Sequence, residues 1–152
     1  MRLATGLQMI LFGLFMAAFL AASPVPFQSE VVFLGLLAAG TPVSQLILVA
    51  SVGNVLGSCV TYALGRGLAE YRDHRWFPLT PPQMDRAEGW FRRWGLWVLL
   101  LSWAPGGDLV VGMAGVLRVP VWQMLVLVTL AKTGRYVVLA GVGMAALKAV
   151  GG

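Results

Sequence analysis

The stretch PVSQLILVASV, residues 42–52, decides the fold class, because it recurs without a gap as PVWQMLVLVTL, residues 120–130. The offset (120 minus 42, or 78 residues) also separates Glu30 from Asp108, two acids that lie within apolar stretches. Internal repetition with one acid in each copy is typical of membrane transporters that bind their substrate where two repeats meet. We therefore interpret the chain first as a transporter of this kind.

Composition indicates that lipid surrounds most of the chain. Of the 152 residues, 59% are apolar and 11% are charged, whereas soluble domains carry about 25% charged residues. So few charges do not cover a water-facing surface, and the length fits a single membrane domain over residues 1–152. We divide it into repeat one (about 9–66), a cytoplasmic linker (67–93) and repeat two (about 94–148).

The net charge is +5, and the basic residues are clustered: six arginines lie between residues 66 and 93, where four acids dilute them. A nucleic-acid-binding surface needs a soluble folded platform, which this composition excludes. The positive-inside rule instead places the segment in the cytoplasm. Within it, Gln83–Arg93 is predicted to form a short amphipathic helix at the level of the lipid headgroups, since it combines arginines with tryptophan.

Apolar stretches of two lengths predict the membrane segments. Val43–Leu64 and Val119–Leu147 are long enough to cross a bilayer as helices, which takes about 20 residues. Trp94–Ala104 is shorter and meets a proline followed by two glycines, before Leu109–Val116 returns as a second short arm. Since proline lacks an N–H and glycine permits sharp turns, this pair predicts a re-entrant hairpin rather than a straight span.

The first copy has the same layout, with a break at Pro24-Val25-Pro26 and a returning arm at Val31–Ala39. Broken backbone at membrane depth is tolerated only where protein covers it or where it lines a wet cavity, so two breaks predict an interior site. Counting crossings from a cytoplasmic linker gives the copies opposite orientations. The predicted fold is an all-α integral membrane protein with two inverted repeats, each a re-entrant hairpin followed by a transmembrane helix.

The N-terminal segment has two interpretations. Arg2, the apolar stretch Met9–Leu20 and Ala21-Ala22-Ser23 together are similar to a secretory signal peptide. The repeat favours retention, because Met16–Pro26 then corresponds to Trp94–Ala104. Residues 7–22 are compatible either with a full crossing or with the first arm of a hairpin, and the side of the N-terminus differs between the two.

Four charged residues are the principal site candidates. An ionised acid at the bilayer centre costs about 2.5–3.5 kcal/mol, so Glu30 and Asp108 require a partner or a role. Lys132 and Arg135 lie three residues apart on one face of a predicted helix. We predict that the four form a charged cluster along a transport path, in which Glu30 or Asp108 changes protonation. The alternative is a structural ion pair that holds a hairpin to a helix.

The repeat adds further candidates, because Asn54 corresponds to Lys132 at the same offset. We therefore include Asn54 in the predicted path. Gly53 and Gly57 have the small-residue spacing that lets membrane helices approach closely, and we interpret them as packing residues. Two tyrosines offer either hydroxyl groups or packing: Tyr62 and Tyr136.

Enzyme chemistry is disfavoured by missing parts. The lone His74 and the lone Cys59 do not make a zinc site, so no metal or other cofactor is expected. Two intramembrane acids could form a proton-sharing aspartyl dyad, and PGGD at 105–108 is faintly similar to the GxGD signature of intramembrane aspartyl proteases. Proline replaces the first glycine, however, and the partner Tyr-Asp motif is missing. We expect no enzyme; a non-transporting scaffold or assembly factor is the third class.

Several groups of residues resemble motifs of one family. They are GNVLGS at 53–58 with Tyr62 and Gly65-Arg66, SEVV at 29–32 after Pro26, and SWAPGGDL at 102–109 with Ala114-Gly115 and Leu117-Arg118. The first group is similar to the GN-x-x-GS…Y-x-x-GR signature of the DedA membrane proteins, which share the VTT, or SNARE-associated, domain. Lys132 and Arg135-Tyr136 resemble the GK-x-x-RY element of the short YqaA-type branch, with Ala131 in place of its glycine.

The resemblance implies a bacterial inner-membrane, multi-pass protein that translocates or scrambles a lipid, either a phospholipid or a polyprenyl phosphate, with protons as a coupling partner. Typical DedA proteins carry R-x-x-P-x-x-R in the second hairpin, and those arginines are tied to activity. Here Ser102 and Asp108 occupy the two arginine positions. The basic groups available to a lipid phosphate are then Arg118, Lys132 and Arg135.

Overall fold

A computed structural model gives the structure of residues 2–23, 28–71, 73–75, 80–104 and 106–151. Every regular element in these ranges is helical. The α-helices are α1 (Arg2–Ala21), α2 (Ser29–Ala38), α3 (Val43–Leu68), α4 (Pro81–Trp94), α5 (Asp108–Val116) and α6 (Val121–Gly151). Two 3-10 segments, Ala69–Tyr71 and Gly95–Trp103, follow α3 and α4. The all-helical prediction is confirmed for this part of the chain.

The two predicted spans are confirmed as the long helices α3 and α6, whose mean hydropathies over an 18-residue window are 1.7 and 1.5. Their ends differ from the prediction. The helix α3 continues to Leu68, beyond the predicted end at Leu64. The helix α6 begins at Val121, because the carbonyl group of Pro120 accepts the first helical hydrogen bonds.

The shorter apolar arms are also helical. The helix α2 covers most of the predicted arm Val31–Ala39, and α5 covers Leu109–Val116. The arm Trp94–Ala104 is largely the 3-10 segment Gly95–Trp103. The predicted break at Pro24-Val25-Pro26 lies outside the described residues, as does Pro105 in the second break, so the re-entrant path itself stays a prediction.

The predicted amphipathic helix in the linker is confirmed as α4, which begins before the predicted start at Gln83. The backbone N–H of Thr80 donates to Oε1 of Gln83 at 2.9 Å, which satisfies a donor at the helix start. Two prolines follow Thr80 within the first turn, where their missing N–H groups have no helical partner to lose. This local chemistry fixes the start of α4.

The turn between a short and a long helix has the same hydrogen bonds in both repeats. After α2, Thr41 N–H donates to the Leu36 carbonyl group and Gly40 N–H to that of Leu37. After α5, Val119 N–H donates to Ala114 and Arg118 N–H to Gly115. Both are Schellman motifs, which require a left-handed residue after the helix. Gly40 (φ +85°) supplies it in one repeat and Arg118 (φ +56°) in the other.

The chain forms two compact units. Unit 1 comprises Met1–Gly57 with Lys132–Gly152, and unit 2 comprises Ser58–Ala131. Unit 1 therefore contains α1, α2, the first half of α3 and the second half of α6, whereas unit 2 contains α4, α5, the second half of α3 and the first half of α6. The boundary between the units therefore crosses both long helices, so that each unit holds one part of α3 and one part of α6.

Each unit has its own apolar core. In unit 1, Phe33 of α2 packs with Leu14, Leu46 and Tyr136, each from a different helix. The Phe33 and Tyr136 rings are stacked, with centroids 5.4 Å apart. Unit 2 has one core of seven buried residues, which are Tyr62, Leu99, Val111, Ala114, Val119, Met124 and Val128. A smaller cluster in unit 2 joins Met84 of α4 to Met113 and Val116 of α5.

Glycines bring helix backbones into contact within both units. A Cβ atom at Gly53 would lie 2.5 Å from the carbonyl oxygen of Phe15, and one at Gly57 would overlap that of Phe19. The prediction that these two glycines pack helices together is confirmed, with α1 as the partner of α3. In unit 2, a Cβ atom at Gly65 would overlap the carbonyl oxygen of Gly112 in α5.

The outer surface of the long helices is apolar. Along α3, a row of exposed aliphatic residues recurs at every fourth position: Leu48, Val52, Leu56, Val60 and Leu64. The helix α6 exposes Val126, Leu130 and Val138 by 52–65% of their surface. Soluble monomers rarely expose contiguous apolar patches larger than a few hundred Å². These surfaces fit a hydrocarbon environment.

The close approach of α1 and α3 yields a prediction for glycine substitutions. We expect Gly57→Ala to lower the thermal midpoint of the detergent-solubilised protein, because overpacking a fitted contact costs about 1–3 kcal/mol. Gly67→Ala, on the same helix, is the control, since no atom lies within 4 Å of its Cβ position. Its midpoint should be unchanged or higher, because alanine favours the helix. Equal midpoints for the two variants would contradict the assigned contact.

Candidate functional site

A chain of polar side chains lies inside unit 1. The Tyr136 and Ser29 hydroxyl oxygens are 2.8 Å apart, and Asn54 Nδ2 donates to the Tyr136 hydroxyl at 3.1 Å. Asn54 Nδ2 also donates to the backbone carbonyl group of Ala18 at 3.0 Å. Ser29, Asn54 and Tyr136 are each at most 2% exposed. The chain thus links α2, α3, α6 and α1 away from solvent.

An ion pair lies beside this chain. Glu30 follows Ser29 in the first turn of α2, Arg135 precedes Tyr136 in α6, and the Arg135 guanidinium donates to Glu30 Oε1. The Glu30 side chain is 26% exposed and the Arg135 side chain 23%, so the pair lies at the edge of the unit rather than in its core. A carboxylate near a helix N-terminus is also favoured by the helix dipole. The pair can therefore be reached by a ligand without unfolding the unit.

Lys132 lies on the same face of α6, one turn before Tyr136, and is fully buried. Asn54, at the equivalent position of α3, is buried too, and its Oδ1 atom has no hydrogen-bond partner among the described residues. An unsatisfied buried acceptor costs about 1–3 kcal/mol. Such a group calls for an explanation, and an amide oxygen can accept a hydrogen bond from water or from a ligand.

In unit 2 the second acid has a comparable setting. Ser58 of α3 donates to Asp108 Oδ1 at 3.2 Å, at the start of α5. By the repeat offset, Ser58 corresponds to Tyr136 and Asp108 to Glu30. Each unit therefore has a hydroxyl on a long helix that binds the start of a short helix. Ser102, also buried in unit 2, has a hydroxyl with no partner among the described residues.

Tyr62 has a structural contact. Its hydroxyl donates to the carbonyl oxygen of Val119, just before α6, and accepts from Nη1 of Arg66 at 2.8 Å. Arg118 lies at the surface and pairs with Glu70 at 3.8 Å, with both side chains more than 60% exposed. Its backbone belongs to the turn after α5. Arg118 therefore lies at the surface of unit 2, and its role toward a lipid phosphate stays a prediction.

The predicted four-residue cluster has members in both units, and as a whole it stays a prediction. Glu30, Lys132 and Arg135 belong to unit 1, and Asp108 belongs to unit 2. Among these, the structure brings Glu30 and Arg135 together. Sequence reasoning did not select Ser29 or Ser58 as site residues. The repeat offset could have indicated Ser58, since this residue aligns with Tyr136. Tyr136 itself was predicted to offer either a hydroxyl group or packing.

Across the described ranges, no three or more His, Cys, Asp and Glu side chains come close enough together to hold a metal ion. The polar groups described above for the two units are hydroxyls, the Asn54 amide, carboxylates and cations. They can bind a charged headgroup, water or a proton.

Comparison with known proteins identifies the family. The VTT domain family matches residues 3–145. The chain belongs to the VTT domain family. It is similar to the inner membrane protein YqaA of Escherichia coli and to that of Shigella flexneri, each 37% identical over 132 residues, or 86% of this chain and 88% of the relative. A protein of Haemophilus influenzae is 38% identical over 138 residues, covering 83% of this chain and 82% of the relative.

No solved structure matches the chain. The VTT domain, the two apolar helices and the inner-membrane relatives place this protein in the bacterial inner membrane as a multi-pass protein. The resemblance seen in the sequence motifs is thus confirmed at the level of the family. In a membrane, the exposed apolar rows of α3 and α6 face lipid, and the polar chain of unit 1 lies inside the protein.

The polar chain predicts a stability effect that is not additive. We expect Tyr136→Phe to destabilise the protein by about 1–3 kcal/mol, because it leaves Ser29 and Asn54 buried with fewer partners. Tyr71→Phe, at a residue 44% exposed, is the control and should be near neutral. Thermal unfolding in detergent measures both.

A double-mutant cycle tests whether Tyr136 acts through Ser29. Ser29→Ala in the Tyr136→Phe background should cost less than Ser29→Ala alone, since the shared hydrogen bond has already been removed. Fully additive effects would show that the two hydroxyls do not interact.

Proposed function

We propose that this VTT-domain protein moves a lipid across the inner membrane. The observation that supports the proposal best is the Glu30–Arg135 ion pair, which is partly exposed and lies next to a buried polar chain inside a unit with an apolar exterior. Intramembrane ionisable residues generally mark substrate or ion pathways. A lipid headgroup is charged while its tails are apolar, so a polar route beside hydrocarbon suits it.

The proposed architecture consists of two inverted repeats. In each, a re-entrant hairpin precedes a spanning helix, with α2 as the returning arm in the first repeat and α5 in the second. The matching Schellman turns after α2 and α5 support a common ancestry for these segments. Glu30 and Asp108, each in the first turn of a returning arm, would then face the membrane interior from the two repeats.

The proposed substrate carries a phosphate, as phospholipids and polyprenyl phosphates do. Arg135 presents a guanidinium that binds phosphate oxygens in a bidentate manner, and Lys132 lies one turn away on the same helix face. Release of Arg135 by protonation of Glu30 would expose this cation to a headgroup and would couple transport to the proton gradient. Asn54 contributes an unsatisfied carbonyl oxygen to the same unit. The proposal involves no bond-breaking step and no cofactor.

Reconstitution tests the proposal directly. The purified protein is placed in vesicles with a fluorescent phospholipid, and the rate at which an external reductant bleaches inner-leaflet lipid is measured with and without a pH gradient. We expect Glu30→Gln to slow this rate and to remove its response to a pH gradient, because glutamine cannot gain and lose the proton that controls Arg135. Asp108→Asn should slow the rate as well.

Glu70→Gln is the matched control, since it removes an acid from the exposed Arg118–Glu70 pair and should leave the rate unchanged. The exchanged variant Glu30→Arg/Arg135→Glu separates function from structure: we expect normal insertion with impaired transport. Transport that is fully restored by the exchange, or unaffected by Glu30→Gln in a normally inserted protein, would favour the alternative of a scaffold held together by a structural pair.

A further inference from the structure

Within unit 2, one face of helix α4 packs against α5. Met84 is 6% exposed and clusters with Met113 and Val116 of α5, while Ala87 and Phe91 pack at the edge of the same cluster. Met84, Ala87 and Phe91 are spaced as i, i+3 and i+7, so they lie on one side of the helix. This packing determines which residues of α4 point away from the protein.

The other side carries a row of exposed basic and aromatic residues. Its members are Arg86, Trp90, Arg93 and Trp94, which we call the Arg–Trp stripe. Trp90 and Trp94 are 54% and 61% exposed, and the spacing of i, i+4, i+7 and i+8 keeps the four on one face. The guanidinium carbon of Arg93 lies 5.8 Å from the centre of the Trp94 ring. This cation–π contact holds the arginine beside the indole.

Charge is distributed unevenly around α4. Both acids of the helix, Asp85 and Glu88, lie on the flank opposite the stripe, and Arg92 is four residues after Glu88 on that flank. That flank therefore has two acids and one cation, whereas the Arg–Trp stripe has two cations and no acid. An anionic partner is attracted by the stripe and not by the opposite flank.

We propose that the Arg–Trp stripe binds the headgroups of anionic phospholipids in the membrane that contains the protein. Tryptophan partitions to the headgroup level, and arginine binds phosphate oxygens in a bidentate manner. Trp97, 69% exposed in the 3-10 segment that follows α4, extends the aromatic surface. Because this is a surface site on α4, it does not depend on the proposed transport route through the polar groups of unit 1.

Tryptophan quenching by brominated lipids tests the proposal in the full-length protein. Vesicles contain either brominated phosphatidylglycerol or brominated phosphatidylcholine in an unlabelled background, and the ratio of the two association constants gives the anionic preference. We expect Arg93→Gln to lower this ratio about fivefold, the effect of one basic residue near an anionic surface. Arg92→Gln is the matched control, since it removes the same charge from the neighbouring position on the other flank.

Two further measurements assign the site. The anionic preference of the unmodified protein should fall as salt rises, because the attraction is electrostatic. Trp90→Phe/Trp94→Phe should remove a measurable part of the lipid-dependent quenching, which separates the stripe from the other tryptophans.

Specific outcomes would overturn the proposal. If Arg92→Gln and Arg93→Gln lower the ratio of association constants equally, then only the net charge of the protein matters. An unchanged ratio for Arg93→Gln, or undiminished quenching after removal of Trp90 and Trp94, would mean that the stripe does not contact anionic lipid and covers another surface instead.

Discussion

The Tyr136 hydroxyl is the interaction on which unit 1 depends. Hydrocarbon offers no hydrogen bonds, so polar groups within a membrane protein must find partners inside the protein. Tyr136 meets this constraint for Ser29 and Asn54 at once, and Asn54 passes the connection to the Ala18 carbonyl group. One hydroxyl thereby fixes four helices relative to each other. The same chain holds Arg135, its neighbour in sequence, where it meets Glu30.

Small residues make these polar contacts reachable. Asn54 lies between Gly53 and Gly57, whose missing side chains let α3 touch the backbone of α1. With larger residues there, Ala18 would lie too far from Asn54 for a hydrogen bond. Unit 2 has the same combination on α3. Gly65 lets the helix touch the backbone of α5, and Ser58, two turns earlier, donates to Asp108. Close backbone packing and polar pairing are thus two parts of a single arrangement in each unit.

The sequence predicted the helices because apolar length and proline position act locally. The start of α6 after Pro120 follows from such a local rule, although the predicted span began at Val119. The spacing of Gly53 and Gly57 predicted close packing, whereas their partner α1 is known only from the structure. The sequence also named Lys132 and Arg135 as the possible partners of the two acids without choosing between them, and the structure pairs Glu30 with Arg135. The left-handed backbone of Arg118 was not predicted, because it depends on the turn after α5. The role of Tyr136 as a shared hydroxyl was not predictable from spacing alone, since three helices from distant parts of the sequence must meet around it.

Water access to Glu30 is the most direct test of a transport route through unit 1. In a Cys59→Ser background, Glu30→Cys and Val31→Cys are compared for their reaction rates with a membrane-impermeant cationic thiol reagent. Val31 is 66% exposed by area and the Glu30 side chain 26%. If Val31 faces lipid and Glu30 faces a wet route, Glu30→Cys should react faster despite its smaller exposure, because thiolates form in water. Faster reaction of Val31→Cys would contradict the route.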